Sequence, residues 1–138
     1  MTGTYSAVVT GGFVPNTDSL AIELDAPANT AIRIKKIRIT PTDGTDTTVN
    51  DFHRKIKLVF CSTTGTGSAY TPIELDDNGT PSITTVETGP ATAGTISTTL
   101  DTISLHSGTD FLWQAADEED KIVIQPGGIF AIVVNPSA

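Results

Sequence analysis

The feature that most restricts the fold of this chain is its last apolar run, Ile129-Phe130-Ala131-Ile132-Val133-Val134. Successive side chains of a strand point to opposite sides, so six apolar residues in a row load both faces of any strand they form. In an antiparallel sandwich one face of a strand ordinarily meets water, and here a second cover is required. The N-terminal arm or a neighbouring subunit could supply it, and the shortage of large side chains on the arm favours a subunit. Ahead of the run stand Ile122-Val123-Ile124 and then Gln125-Pro126-Gly127-Gly128. Pro126 presets φ for the second turn position and Gly127 accepts the positive φ that a type II turn demands next, which predicts a closing hairpin.

Earlier segments add short strands. Leu20, Ile22 and Leu24 alternate with Ala21 and Glu23, the period-two pattern of a half-buried strand ending at Ala26-Pro27. Ile32 and Ile34 share one parity and Ile37 and Ile39 the other, so a bulge at Lys35-Lys36 is expected to return both pairs to the core. Ile56, Leu58 and Phe60 resume the alternation, and Ile73 and Leu75 mark a short strand before the turn residues Asp76-Asp77-Asn78-Gly79. Residues 41–51 and 63–68 are polar and rich in Thr and Gly, which reads as loops. The opening stretch reaches Gly11-Gly12 and then Phe13-Val14-Pro15, an extended arm (residues 1–14) or an edge strand.

Length and composition agree with one β domain over residues 1–138. A chain of 138 residues fits a single core, threonine is the commonest residue, and branched side chains suit a pleated surface. Short strands without intervening helices predict an all-β fold, a two-sheet antiparallel β-sandwich of jelly-roll-like type. The paired cysteines of an immunoglobulin-type sandwich are missing.

The net charge of −8 repels phosphate backbones and anionic lipid, which argues against nucleic-acid and membrane partners. Arg33, Lys35, Lys36, Arg38, Arg54, Lys55 and Lys57 hold all the positive charge except Lys121. Most alternate with Ile and Leu, so they form the polar face of two strands, with docking onto an acidic protein neighbour as the sharper alternative. Cys61 is alone, which excludes an internal disulfide and a multi-cysteine zinc site, and its place after Leu58-Val59-Phe60 predicts a buried thiol. No basic-then-apolar leader opens the sequence and no apolar stretch approaches the ~20 residues of a membrane helix, so a product made in the cytoplasm is expected.

Catalytic chemistry finds no foothold. Only His53 and His106 could act as a base, and neither accompanies a nucleophile motif. The carboxylates of Asp76-Asp77 and of Asp117-Glu118-Glu119-Asp120 are adjacent, whereas glycoside hydrolysis needs them roughly 5–10 Å apart across a cleft. Asp43, Asp46 and Asp51, or Asp76, Asp77 and Asn78, carry oxygen ligands without a calcium-loop pattern. Gly65-Thr66-Gly67 lacks the lysine and helix of a phosphate loop and reads as a turn. No catalytic residue, cofactor or metal ligand is assigned.

The last third, Trp113-Gln114, an acidic stretch, then Ile122 to Ile129 and an apolar closing strand, resembles the ending of small β-sandwich virion proteins of tailed phages. That resemblance implies a capsid decoration, or cement, protein: a jelly-roll-like homotrimer on the outer capsid surface, partnered by the major capsid protein. It carries over no functional residues. Bridging capsomers needs interfaces with aromatic anchors, and the candidates are Tyr5, Phe13 and Val14 on the arm and Phe130 on the closing strand, with Trp113 assigned to the core. The alternatives are a head or tail appendage that binds host-surface carbohydrate, for which eight aromatics leave few exposed platforms, and a cupin-like metalloenzyme, for which two histidines are too few.

Overall fold

The computed structural model describes residues 5–8, 19–40, 53–75, 84–106, 110–117, 119 and 121–136. They form twelve strands and no α-helix: β1 (Tyr5–Ser6), β2 (Ser19–Asp25), β3 (Ile32–Ile34), β4 (Lys36–Ile39), β5 (His53–Cys61), β6 (Ser68–Tyr70), β7 (Ile73–Glu74), β8 (Thr85–Ala91), β9 (Ile96–His106), β10 (Phe111–Gln114), β11 (Ile122–Ile124) and β12 (Ile129–Pro136). Six build one antiparallel sheet in the order β6-β8-β2-β12-β5-β9. The others pair as β10-β4, β11-β3 and β1-β7.

β3 and β4 are one strand interrupted at Lys35, whose carbonyl accepts the Ala115 N–H at 3.0 Å. The interruption does what the isoleucine parity requires. Ile34 and Ile37 are buried, and Ile32 and Ile39 pack against the same core. With Phe111, Trp113, Ile122 and Ile124 they form a small second layer over Leu24, Ile56, Leu58, Phe130, Ile132 and Val134 of the large sheet. The result is an all-β antiparallel sandwich with layers of unequal size. A jelly roll distributes eight strands over two Greek keys; among the described residues, one sheet takes six strands and the second layer consists of pairs.

The closing segment corrects one expectation. The turn forms as foreseen, with Gly127 at φ 76° and the Gly128 N–H donating to the Gln125 carbonyl at 2.8 Å. The strands on either side do not form a hairpin. β11 pairs with β3 in the small layer, and β12 enters the large sheet between β2 and β5. An unprimed type II turn has the wrong twist for a tight hairpin and splays its flanking strands. Here it acts as a corner between layers, held by Gly127 N–H to Pro27 O and Ala26 N–H to Gly128 O at 2.8 and 2.9 Å.

β12 is buried on both sides, as its sequence demands: Phe130, Ala131, Ile132, Val133 and Val134 are each at most 9 % exposed. Among the described residues, the cover on the second side comes from within the chain. Ala131 and Val133 form a second core with Leu20, Val59 and Cys61, against which Ala91, Ala93, Ile96 and Ile129 pack. Residues 62–67, leaving β5 for β6, and residues 92–95, leaving β8 for β9, cross this side next to each other. Ser62 N–H donates to Thr95 O and Thr66 N–H to Thr92 O, at 2.8 and 3.0 Å. Thr95 N–H and Thr92 N–H donate to the Oγ1 atoms of Thr63 and Thr66, at 2.8 and 3.2 Å. Gly65 lies so close to the Thr92 carbonyl that a Cβ would collide with it, and it would crowd the Leu20 side chain as well. The Gly65-Thr66-Gly67 stretch is therefore part of this cover and not a turn.

Candidate functional site

Beneath residues 62–67 the large sheet carries a group of acids. β2 and β8 run antiparallel with Glu23 opposite Glu87 and Asp25 opposite Thr85, so Glu23 and Glu87 share a face. Asp25, two residues beyond Glu23 on the same strand, shares it too. A bulge sets this arrangement. Ile132 faces Ile22 and the next residue, Val133, faces Leu20, which leaves Ala21 as the extra residue of β2. Leu20 is thereby turned to the side of Glu23, while Ile22 and Leu24 remain on the side of the small layer. The half-buried reading of β2 is corrected at this point: Glu23 is 0 % exposed.

One carboxylate oxygen from each of Glu23, Asp25 and Glu87 lies within 4.8 Å of the other two. Glu23 Oε1 accepts the Gly65 N–H at 2.8 Å. Glu23 Oε2, Asp25 Oδ1 and Glu87 Oε2 are buried without any hydrogen-bond partner. Burial pushes the Glu23 carboxyl up to about 7; the Gly65 N–H pulls the other way, and the charges of Asp25 and Glu87 add to the rise. Asp25 is raised for the same reasons, desolvation first and then Glu87, with its contact to Glu23 opposing. Cys61 lies near enough to feel both, and its thiol is pushed up by burial and then by Glu23 and Asp25, so it is a packing residue with little thiolate. Like charges directly opposite across a strand pair are destabilising, and a buried orphan oxygen has to be accounted for by a proton, a water or an ion.

A second surface lies at the β1-β7 ribbon, where Ser6 pairs with Ile73 and Tyr5 with Glu74. Val8 and Leu75 lie just past the strands, two residues beyond Ser6 and Ile73 respectively. Val8, Leu75 and Ile73 are exposed, at 62, 63 and 56 % respectively. Val8 N–H donates to the Tyr70 hydroxyl at 3.3 Å, which ties the arm to the strand before β7.

The sequence candidates fall as follows. Tyr5 is half-buried on β1. Phe13 and Val14 lie outside the described residues. Phe130 is 1 % exposed and meets Phe60 edge-to-face at a centroid distance of 6.1 Å, so the core holds it and it is no surface anchor. Trp113, opposite Ile37, packs on the same core. The basic residues divide between layers: Arg33, Lys35, Lys36 and Arg38 lie exposed on the small one, Arg38 3.5 Å from Asp110, while Lys55 and Lys57 belong to the large sheet. Asp117 and Glu119 are exposed, Asp117 accepting the Glu119 N–H at 2.8 Å, as expected of a solvated loop. Asp43, Asp46, Asp51, Asp76, Asp77 and Asn78 lie outside the described residues. The β5-β9 register sets residues 53 and 106, the two histidines, opposite each other.

No protein-family model, curated protein or solved structure matches this chain.

Proposed function

We propose that this chain is a non-catalytic structural subunit that docks onto a larger assembly, and that the assembly is a phage capsid whose outer surface it decorates as a homotrimer. The observation that carries the docking is the exposed apolar side chains along the β1-β7 ribbon, Ile73 within it and Val8 and Leu75 just beyond its two ends. Clustered exposed apolar side chains mark interaction surfaces more often than isolated ones do. The capsid assignment rests on the resemblance of the last third to virion sandwich proteins. The closing strand contributes nothing to it, since both its faces are covered from within the chain.

A decoration subunit works by bridging, so that pressure from packaged DNA must separate extra buried area before the shell opens. Contacts of about 1,000 Å² or more are expected of such a bridge. The test adds purified protein to undecorated expanded capsids and measures occupancy and heat resistance, with light scattering to count copies in solution. Saturable binding that raises the opening temperature, and that is lost in an Ile73→Glu/Leu75→Glu variant with an unchanged melting temperature, supports the reading. An absence of saturable binding overturns it.

A further inference from the structure

Three carboxylates on one buried face need something between them. Glu23 is fully buried, and its Oε2 reaches no donor while its Oε1 is held by Gly65 N–H. Asp25 and Glu87 each carry a further unpartnered, buried oxygen, and one carboxylate oxygen of each lies within 4.8 Å of one from Glu23. The neighbouring charges acting on Glu23 are those of Asp25 and Glu87, both negative. An all-carboxylate donor set is hard and suits calcium, magnesium or manganese in preference to zinc or copper. Coordination geometry then selects: three carboxylate oxygens within 4.8 Å of one another can close on one hard cation, and calcium accepts an irregular shell at about 2.3–2.6 Å, whereas magnesium demands about 2.05 Å and a near-ideal octahedron.

We propose that Glu23, Asp25 and Glu87 form a calcium site between the large sheet and residues 62–67. Three carboxylates supply from three to six of the six to eight oxygens that calcium takes, depending on how many bind through both atoms, with solvent completing the shell. Glu87 is only half-buried and sits on β8, next to the edge strand β6, which gives the ion its way in. The ion neutralises a like-charge pair that faces itself across β2 and β8, and through Glu23 it fastens the Gly65 amide to the sheet. Its function is structural, to lock the cover over the second core, and it does not depend on the docking surface.

The experiment is calorimetric titration of chelator-treated protein at pH 8 with calcium chloride, and separately with magnesium and manganese chlorides. Amide exchange over residues 62–67 is followed in parallel. The expected result is one equivalent of calcium bound more tightly than magnesium, slowed exchange at Gly65 on addition, and at least a tenfold loss of affinity in Glu87→Gln. Asp25→Asn is the second variant, with circular dichroism as the check that each has folded. No saturable binding of any of the three ions up to about 10 mM, beyond the range of weak extracellular calcium sites, overturns the proposal. So do calcium binding that leaves Gly65 exchange unchanged, affinity that persists in folded Glu87→Gln and Asp25→Asn, and a preference for magnesium or manganese over calcium.

Discussion

Replacing Glu23 with glutamine removes the most deeply buried charge in the described structure and keeps an oxygen to accept the Gly65 N–H. The new amide also donates to Asp25 and Glu87, which the carboxylate cannot do. In metal-free protein the carboxyl of Glu23 rises from its ordinary 4.5 to about 7, mainly because it is desolvated. A group whose folded value is raised holds its proton more tightly folded than unfolded. Its favourable contribution is complete below about 4.5 and is lost as pH rises through about 7. At about 1.36 kcal/mol per pH unit, the loss amounts to about 3 kcal/mol at pH 8. Asp25, also raised, adds in the same direction. The assay is urea or thermal unfolding of both proteins in chelator-containing buffer from pH 4 to pH 8.5. The variant should match wild type within about 1 kcal/mol at pH 4 and exceed it by about 3 kcal/mol at pH 8, roughly 10 °C in melting temperature for a chain of this length. Differences between the two curves cancel every group the mutation leaves alone. Parallel curves across the whole range would refute the account of Glu23 as a buried acid forced to ionise.

Phe130→Ala empties a site 1 % exposed in the middle of the main core and removes the edge contact to Phe60, so denaturant unfolding should show a loss of about 3–5 kcal/mol. Gly127→Ala forces φ 76° on a residue with a Cβ but meets no neighbour; a cost of about 1–2 kcal/mol is expected, measured in the same way. Gly65→Ala drives a methyl into the Thr92 carbonyl and crowds Leu20, and should raise amide exchange throughout residues 62–67 and 92–95 while leaving the small layer protected. The Cys61 thiol, buried and pushed up in pKa, should react with a disulfide reagent only when denaturant opens the fold; rapid labelling of native protein at pH 8 would contradict its place in the second core.

Local pattern carried the sequence reading a long way. The parity change in Ile32, Ile34, Ile37 and Ile39 located the break at Lys35, and the bifacial run of β12 required cover on both sides. Pro126-Gly127 specified the turn that forms, and the twist of that same turn is what parts β11 from β12. What stayed hidden depends on pairing between distant segments. Glu23 alternates with Leu20, Ile22 and Leu24 and so looks like a residue of a wet face. Its burial follows only once β12 is known to lie beside β2 and to need cover on the same side. The cover is made of Thr, Gly and Ala, types that advertise a loop, and it works because small residues let two backbones pass close over a sheet. Glu87 gave no signal, since acids opposed across strands are invisible until the register is set.

The strand at the centre of the large sheet is also its last to be synthesised. In the sheet β12 lies between β2 and β5, so without residues 129–136 the edges of β2 and β5 that it pairs with have no strand beside them. Translation must deliver the final insert before either edge can be sealed. Until then both bare margins are open to strands from neighbouring nascent chains, and the window for misassembly closes only as that keystone drops into place.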